Sequence, residues 1–156
     1  MTPILPPEYG GGLRIKLHIF GSIKSDSYQE LSDYYVRLLS KYFPAELIVH
    51  KDVDEQLNPD KVSPITKQGF SLILSERGHQ TSTEEFARII DEQKLSQKAL
   101  HFICGNAHGF TPEAERLANF RMCLSPWTLA HELALVVLCE QLYRVCNLNA
   151  GGKYHK

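Results

Sequence analysis

The chain has 156 residues, a formal net charge of −1 and a pI near 6.6, with 43% apolar and 22% charged residues. That is room for one domain around one core, and the near-neutral balance excludes a protein that grips nucleic acid by bulk positive charge alone. The longest apolar runs, residues 70–74 and 133–139, fall far short of the ~20 residues needed to span a bilayer.

Residues 1–12 have neither a basic n-region nor an apolar h-region and read as a Pro/Gly-rich flexible arm ahead of a single domain over 13–156. Residues 13–20 alternate apolar and polar, a strand with one buried face. Ser27 and Glu30 stand at capping-box spacing before a helix carrying Leu31, Tyr34, Tyr35, Leu38 and Leu39, which Pro44 ends. A second strand is expected over 46–50. Residues 52–68 contain Asn58-Pro59 and Ser63-Pro64 and read mostly as loop. The third strand covers 70–75, with Arg77-Gly78-His79 as a turn. Ser82 and Glu85 cap a helix whose buried face is Phe86, Ile89 and Ile90. Residues 100–104 form the fourth strand. Thr111, Pro112 and Glu113 open a short helix to Leu117, residues 120–124 make the fifth strand, and 131–146 the last helix. Strands alternating with helices predict an α/β domain with a mostly parallel sheet.

Cys104, Cys123, Cys139 and Cys146 each lie in an apolar stretch and form no C-x-x-C pair, which fits reduced core cysteines of a cytoplasmic protein. No metal site is expected: the histidines are scattered, and His131-Glu132 lacks the second histidine one turn on.

In open α/β sheets, ligands bind beyond the carboxyl ends of the strands. Three segments there stand out: Leu74-Ser75-Glu76-Arg77-Gly78, Cys104-Gly105-Asn106-Ala107-His108-Gly109, and Leu124-Ser125-Pro126-Trp127-Thr128-Leu129-Ala130. Gly105 is placed where a backbone approaches a ligand, and the third segment offers main-chain donors and acceptors to an adenine edge. Each also reads as an ordinary connection, since no dinucleotide or Walker spacing is present.

The last helix carries two apolar stripes. Leu135, Leu138, Leu142 and Val145 make one; Leu133, Val136 and Val137 make the other. One stripe is expected on the sheet and the other on a partner subunit, or both within the protomer. Glu140 and Arg144 stand one turn apart and can pair. The tail, Gly151-Gly152-Lys153-Tyr154-His155-Lys156, joins a stacking surface, an imidazole and two cations behind a glycine hinge. It also reads as a frayed terminus.

The runs from Leu74 through Ala87, from Phe102 through Phe110, and above all from Leu124 through Leu133, with Glu140-Gln141-Leu142-Tyr143-Arg144 and terminal Tyr154-His155-Lys156, resemble the bacterial large-subunit ribosomal RNA pseudouridine N3-methyltransferases, the RlmH family of the SPOUT superfamily. The resemblance implies an α/β domain of SPOUT type with a C-terminal deep trefoil knot, an exception to the un-knotted rule. It implies a homodimer with the last helix at the interface and S-adenosylmethionine held by Leu74, Gly105, Asn106, Gly109, Leu124, Ser125, Pro126, Trp127, Thr128, Leu129 and Ala130. The implied substrate is N3 of a pseudouridine in assembled ribosomes, with His155 as base, Tyr154 placing the nucleobase and Arg144 meeting phosphate or developing charge. The chain departs from the family pattern at Asn106 (usually glycine), Ala130 (proline), Leu135 (arginine) and Lys153 (proline). Its rival reading is a catalytically impaired member serving as a ribosome-binding or assembly factor.

Overall fold

The structure, a computed structural model, describes residues 12–51, 54–96 and 98–156; the arm expected over 1–12 lies, but for Gly12, outside them. In chain order the elements are β1 (Arg14–Phe20), α1 (Asp26–Leu39), β2 (Ala45–His50), α2 (Pro59–Thr66), β3 (Phe70–Gln80), α3 (Thr83–Gln93), β4 (Ala99–Cys104), α4 (Pro112–Glu115), β5 (Phe120–Cys123) and α5 (His131–Asn149). The strands form one sheet in the order β2-β1-β4-β3-β5, every pairing parallel.

Helices cover both faces, as a parallel sheet requires. On one face Ile15, Leu17 and Ile19 of β1 pack with Leu39 of α1, Phe86 and Ile90 of α3 and the α5 stripe Leu135, Leu138, Leu142 and Val145. That stripe is fully buried within the protomer, each leucine contributing about 1.5–3 kcal/mol by burial. Val136 is buried as well, whereas Leu133 and Val137 remain half-buried. On the other face Phe20, Ile73 and Ile103 meet Val62 and Ile65 of α2 and Ala114 of α4. The four cysteines are free and buried, and burial pushes the thiols of Cys139 and Cys146 up to about 12.

Four local expectations differ from the fold. Strand β1 is buried on both faces, not one: His18 and Phe20 are covered as well as Ile15, Leu17 and Ile19, because helices and loops pack on both sides of the sheet. Residues 59–66 are helix, not loop: Asn58 is the N-cap, its side chain accepting from Asp60 N–H at 3.0 Å, and Pro59 takes the first turn, where no N–H is needed. Pro64 costs a single helical bond and is tolerated because Val62 and Ile65 are buried. Helix α1 starts at Asp26 with Ser25, not Ser27, as cap, because Glu132 of α5 accepts from the N–H groups of Lys24 and Ser25 and fixes the start there. Arg77-Gly78-His79 is not a turn ending β3. Met122 of β5 opposes both Leu74 and His79, so residues 75–78 bulge out and the strand resumes. A Cβ on Gly78 would lie 2.7 Å from the Arg121 backbone, so only glycine allows that approach.

A row of histidines crosses three strands. His18 Nδ1 is 2.8 Å from His50 Nε2, and His18 Nε2 is 2.9 Å from His101 Nδ1. The rings stack at centroid spacings of 5.1 Å. His101 Nε2 is buried without a hydrogen-bond partner among the described residues. Burial, then the neighbouring His101, His50 and Lys16, push His18 down to about 3. Burial also lowers His50, and burial followed by Lys16 lowers His101.

Candidate functional site

Because β4, β3 and β5 are neighbours in the sheet, the three singled-out segments converge. They wall a cavity of about 560 Å³ whose lining includes Leu74, Gly105, Asn106, Gly109, Leu124, Ser125, Trp127, Thr128, Leu129 and Ala130. Of the residues expected there, Pro126 alone is not in the wall. His131 and Ala134, at the start of α5, close one side.

The second segment is held by its own side chains. Asn106 Nδ2 donates to Glu55 C=O at 2.9 Å, and its Oδ1 accepts from His108 N–H at 3.0 Å. Asn106 has no positive φ, so it serves by bridging rather than by the backbone freedom of the usual glycine. A Cβ on Gly105 would lie 2.9 Å from the Phe110 ring. The absence of a side chain at this cavity-lining glycine thus makes room for the Phe110 ring. In the third segment, Ser125 Oγ accepts from Trp127 N–H at 2.8 Å, and the Trp127 side chain stands out in solvent, the residue being 80% exposed.

Glu115, at the end of α4, is a site residue that sequence reasoning passed over. It is 1% exposed, yet its carboxylate takes Arg77 Nε at 3.2 Å and Arg77 Nη2 at 3.0 Å, together with the Ser75 hydroxyl. Arg77 Nη2 also donates to Phe110 C=O at 3.0 Å, and Ser75, Arg77, Phe110 and Glu115 all line the cavity.

The tail is docked. Gly151, at φ +80°, sends its N–H to Leu148 C=O at 3.0 Å, and Gly152 N–H reaches Asn147 C=O at 2.8 Å, a Schellman close to α5. Glu140 then gathers Arg144 Nη2 at 2.6 Å, Arg144 Nε at 3.0 Å and the Tyr154 hydroxyl at 2.9 Å. Burial pushes the Glu140 carboxyl up, but hydrogen bonds from Arg144, Tyr154 and Gln141 outweigh it and hold it below its usual range. Burial and the bond to Glu140 raise Tyr154. The Arg144 guanidinium lies 4.6 Å from the Tyr154 ring centroid. His155 Nδ1 is 3.2 Å from Arg144 Nη1, which can only donate, so the ring proton sits on Nε2, 3.3 Å from Glu84 Oε1.

Arg144, Tyr154 and His155 thus come together, but not in the cavity. From Ala134 to Glu140 and Arg144 is roughly 9–15 Å along the helix axis. A smaller cavity of about 300 Å³ lies between, sharing Met122, Cys123 and Leu124 with the larger one and reaching Thr83, Val137 and Gln141 beside the tail. Among the described residues no group of His, Cys, Asp or Glu is placed to hold a metal ion, and no helix is long and apolar enough to cross a membrane.

The fold is shared with a solved methylase-family protein from Neisseria gonorrhoeae, at a TM-score of 0.57 and 13% identity over 92% of this chain and 86% of that one. That likeness shows the α/β fold, in which the cavity here lies at the β3 bulge and beyond the carboxyl ends of β4 and β5. The chain belongs to the SPOUT methyltransferase family, whose model, described as "Predicted SPOUT methyltransferase", matches residues 13–155. Similar proteins include one from Coprothermobacter proteolyticus, 35% identical over 91% of this chain and all of its own length. Another, from Caldicellulosiruptor bescii, is 31% identical over 91% of this chain and 99% of its own. Each bears the name ribosomal RNA large subunit methyltransferase H.

Proposed function

We propose that this chain transfers a methyl group from S-adenosylmethionine to N3 of a pseudouridine in large-subunit ribosomal RNA, acting on assembled ribosomes as a cytoplasmic homodimer. The observation that carries the reading is the convergence of three backbone-rich segments on one cavity, in a chain of this family whose relatives bear that name. The cavity's volume falls in the roughly 300–1,000 Å³ range of small-molecule sites. Its walls suit the donor: main-chain groups of 105–109 and 124–130 for adenine and ribose, apolar contact from Leu74, Leu124 and Leu129. The same reading makes the crossings around these segments a deep trefoil knot.

The donor supplies an electrophilic methyl on a sulfonium, so the chain's task is positioning and removal of the imide proton. His155 is assigned to that proton. In the resting arrangement Arg144 occupies Nδ1; when developing negative charge on the nucleobase takes that N–H instead, the Nδ1 lone pair is released. Glu84, at Nε2, then steadies the imidazolium. Tyr154 places the base, and the half-buried Leu133 and Val137 face the second subunit. Transfer of labelled methyl to whole ribosomes, with the modified nucleotide mapped, tests the reading. Donor binding without any transfer would favour a ribosome-binding factor.

A further inference from the structure

Arg77 is the one arginine or lysine among the residues lining the larger cavity. Its Nε and Nη2 are committed to Glu115 and to Phe110 C=O, which fixes the guanidinium plane. Its Nη1 has no hydrogen-bond partner among the described residues, and the side chain is 56% exposed. Holding a carboxylate that is 2% exposed is costly unless it is fully paired. Ser75 and Arg77 pair it, and the glycine-dependent bulge of β3 brings both of them to it. The result is a rigid two-donor edge at a cavity wall whose other acidic or basic side chains are the carboxylates Glu76 and Glu115 and the imidazoles His108 and His131. A fixed guanidinium edge suits a carboxylate, which it meets in plane through charge-assisted bonds.

Resting on the donor-cavity reading, we propose that Arg77, fixed by Glu115, is the specificity residue for the carboxylate at the amino-acid end of the methyl donor, and that this end lies on the β3-bulge side of the cavity. The adenine end then falls to the 105–109 and 124–130 walls. Ser75 and Glu115 are positioning residues that act through Arg77.

The test compares two ligands by calorimetry on the full chain: S-adenosylhomocysteine, which keeps the amino-acid end, and 5′-methylthioadenosine, which lacks it. Arg77→Met should weaken S-adenosylhomocysteine about 10-fold or more, toward the level of methylthioadenosine, and leave methylthioadenosine within about twofold. Should the buried carboxylate unfold that variant, Arg77→Met with Glu115→Gln removes the orphan charge and must give the same pattern. Unchanged S-adenosylhomocysteine affinity, or equal losses for both ligands in a folded variant, overturns the assignment. Intact binding of S-adenosylhomocysteine with weakened ribosome binding overturns it in favour of an RNA phosphate. A wild-type chain that binds neither ligand sinks the donor reading itself, and this inference with it.

Discussion

Asn147 holds Gly152 and Tyr154 at once: its C=O accepts the Gly152 N–H at 2.8 Å, and its Oδ1 takes the Tyr154 N–H at 3.0 Å. A Cβ on Gly152 would run into the Asn147 side-chain amide, so the tail lies flat on α5 because residue 152 has none. This is not the behaviour of a frayed terminus.

Gly152→Val should therefore lift the tail without touching the cavity. Donor affinity is expected to stay within about twofold, while methyl transfer to ribosomes falls about 10²-fold or more, as for His155→Ala, since both remove a positioned proton acceptor. Deleting residues 153–156 should do the same. Full activity of the truncated chain would remove the tail from the mechanism.

At Gly105 the expectation from sequence changes. Because a Cβ there meets the Phe110 ring, and Phe110 packs edge-on against Phe20 at 6.4 Å, Gly105→Val should disturb the core under α2 as well as the cavity. Overpacking of this kind costs about 1–3 kcal/mol. Thermal melting and donor titration should fall together. A variant that melts like wild type but binds no donor would mean that the glycine faces the ligand after all.

What the sequence shows well is what depends on neighbours along the chain. The strand at residues 14–20, the Ser82 cap of α3 and the Thr111–Pro112 start of α4 all recur in the fold, though the polar His18 of β1 is buried with its apolar neighbours. The three cavity-lining segments are legible because glycine and irregular polarity follow strands. Glu115 was not: in sequence it is one more acid in a short helix, and its burial depends on Ser75 and Arg77, some 40 and 38 positions away. The histidine row is hidden for the same reason, since His18, His50 and His101 meet only through strand register. Pro59 and Pro64 hide α2 because their local breaker chemistry points to loop, whereas burial of Val62 and Ile65 overrides it.

The proposed dimerisation through α5 is better probed at Val137 than at Leu138. Leu138 is fully buried against the sheet, so a carboxylate there unfolds the protomer whatever the assembly. Val137 is half-buried and lines the smaller cavity. Val137→Glu should leave the melting temperature of dilute protein nearly unchanged and raise the dimer dissociation constant about 10- to 100-fold. Sedimentation across a concentration series reads both species; a wild-type chain that sediments as a monomer at micromolar concentration ends the homodimer reading.

The histidine row predicts acid sensitivity of a recognisable kind. His18, His50 and His101 are all held below the ordinary histidine value in the fold, His18 at about 3. In the unfolded chain each titrates near the ordinary histidine value of 6.5. Between those limits the unfolded state binds more protons, so stability is full above about pH 6.5 and declines as pH falls toward 3. The slope is about 1.4 kcal/mol per pH unit for each histidine kept neutral. The carboxylates lowered in the fold, Glu84, Glu85 and Glu140, start from 4.5, so the window above that value isolates the histidines. Urea midpoints measured between about pH 7.5 and pH 5 should fall steeply in the wild-type chain. His18→Leu removes the central ring and one obligatory neutral group. It should be less stable at neutral pH, because His50 and His101 lose a partner, yet decline less steeply with acid. Equal slopes in the two proteins would show that these imidazoles protonate freely in the native state.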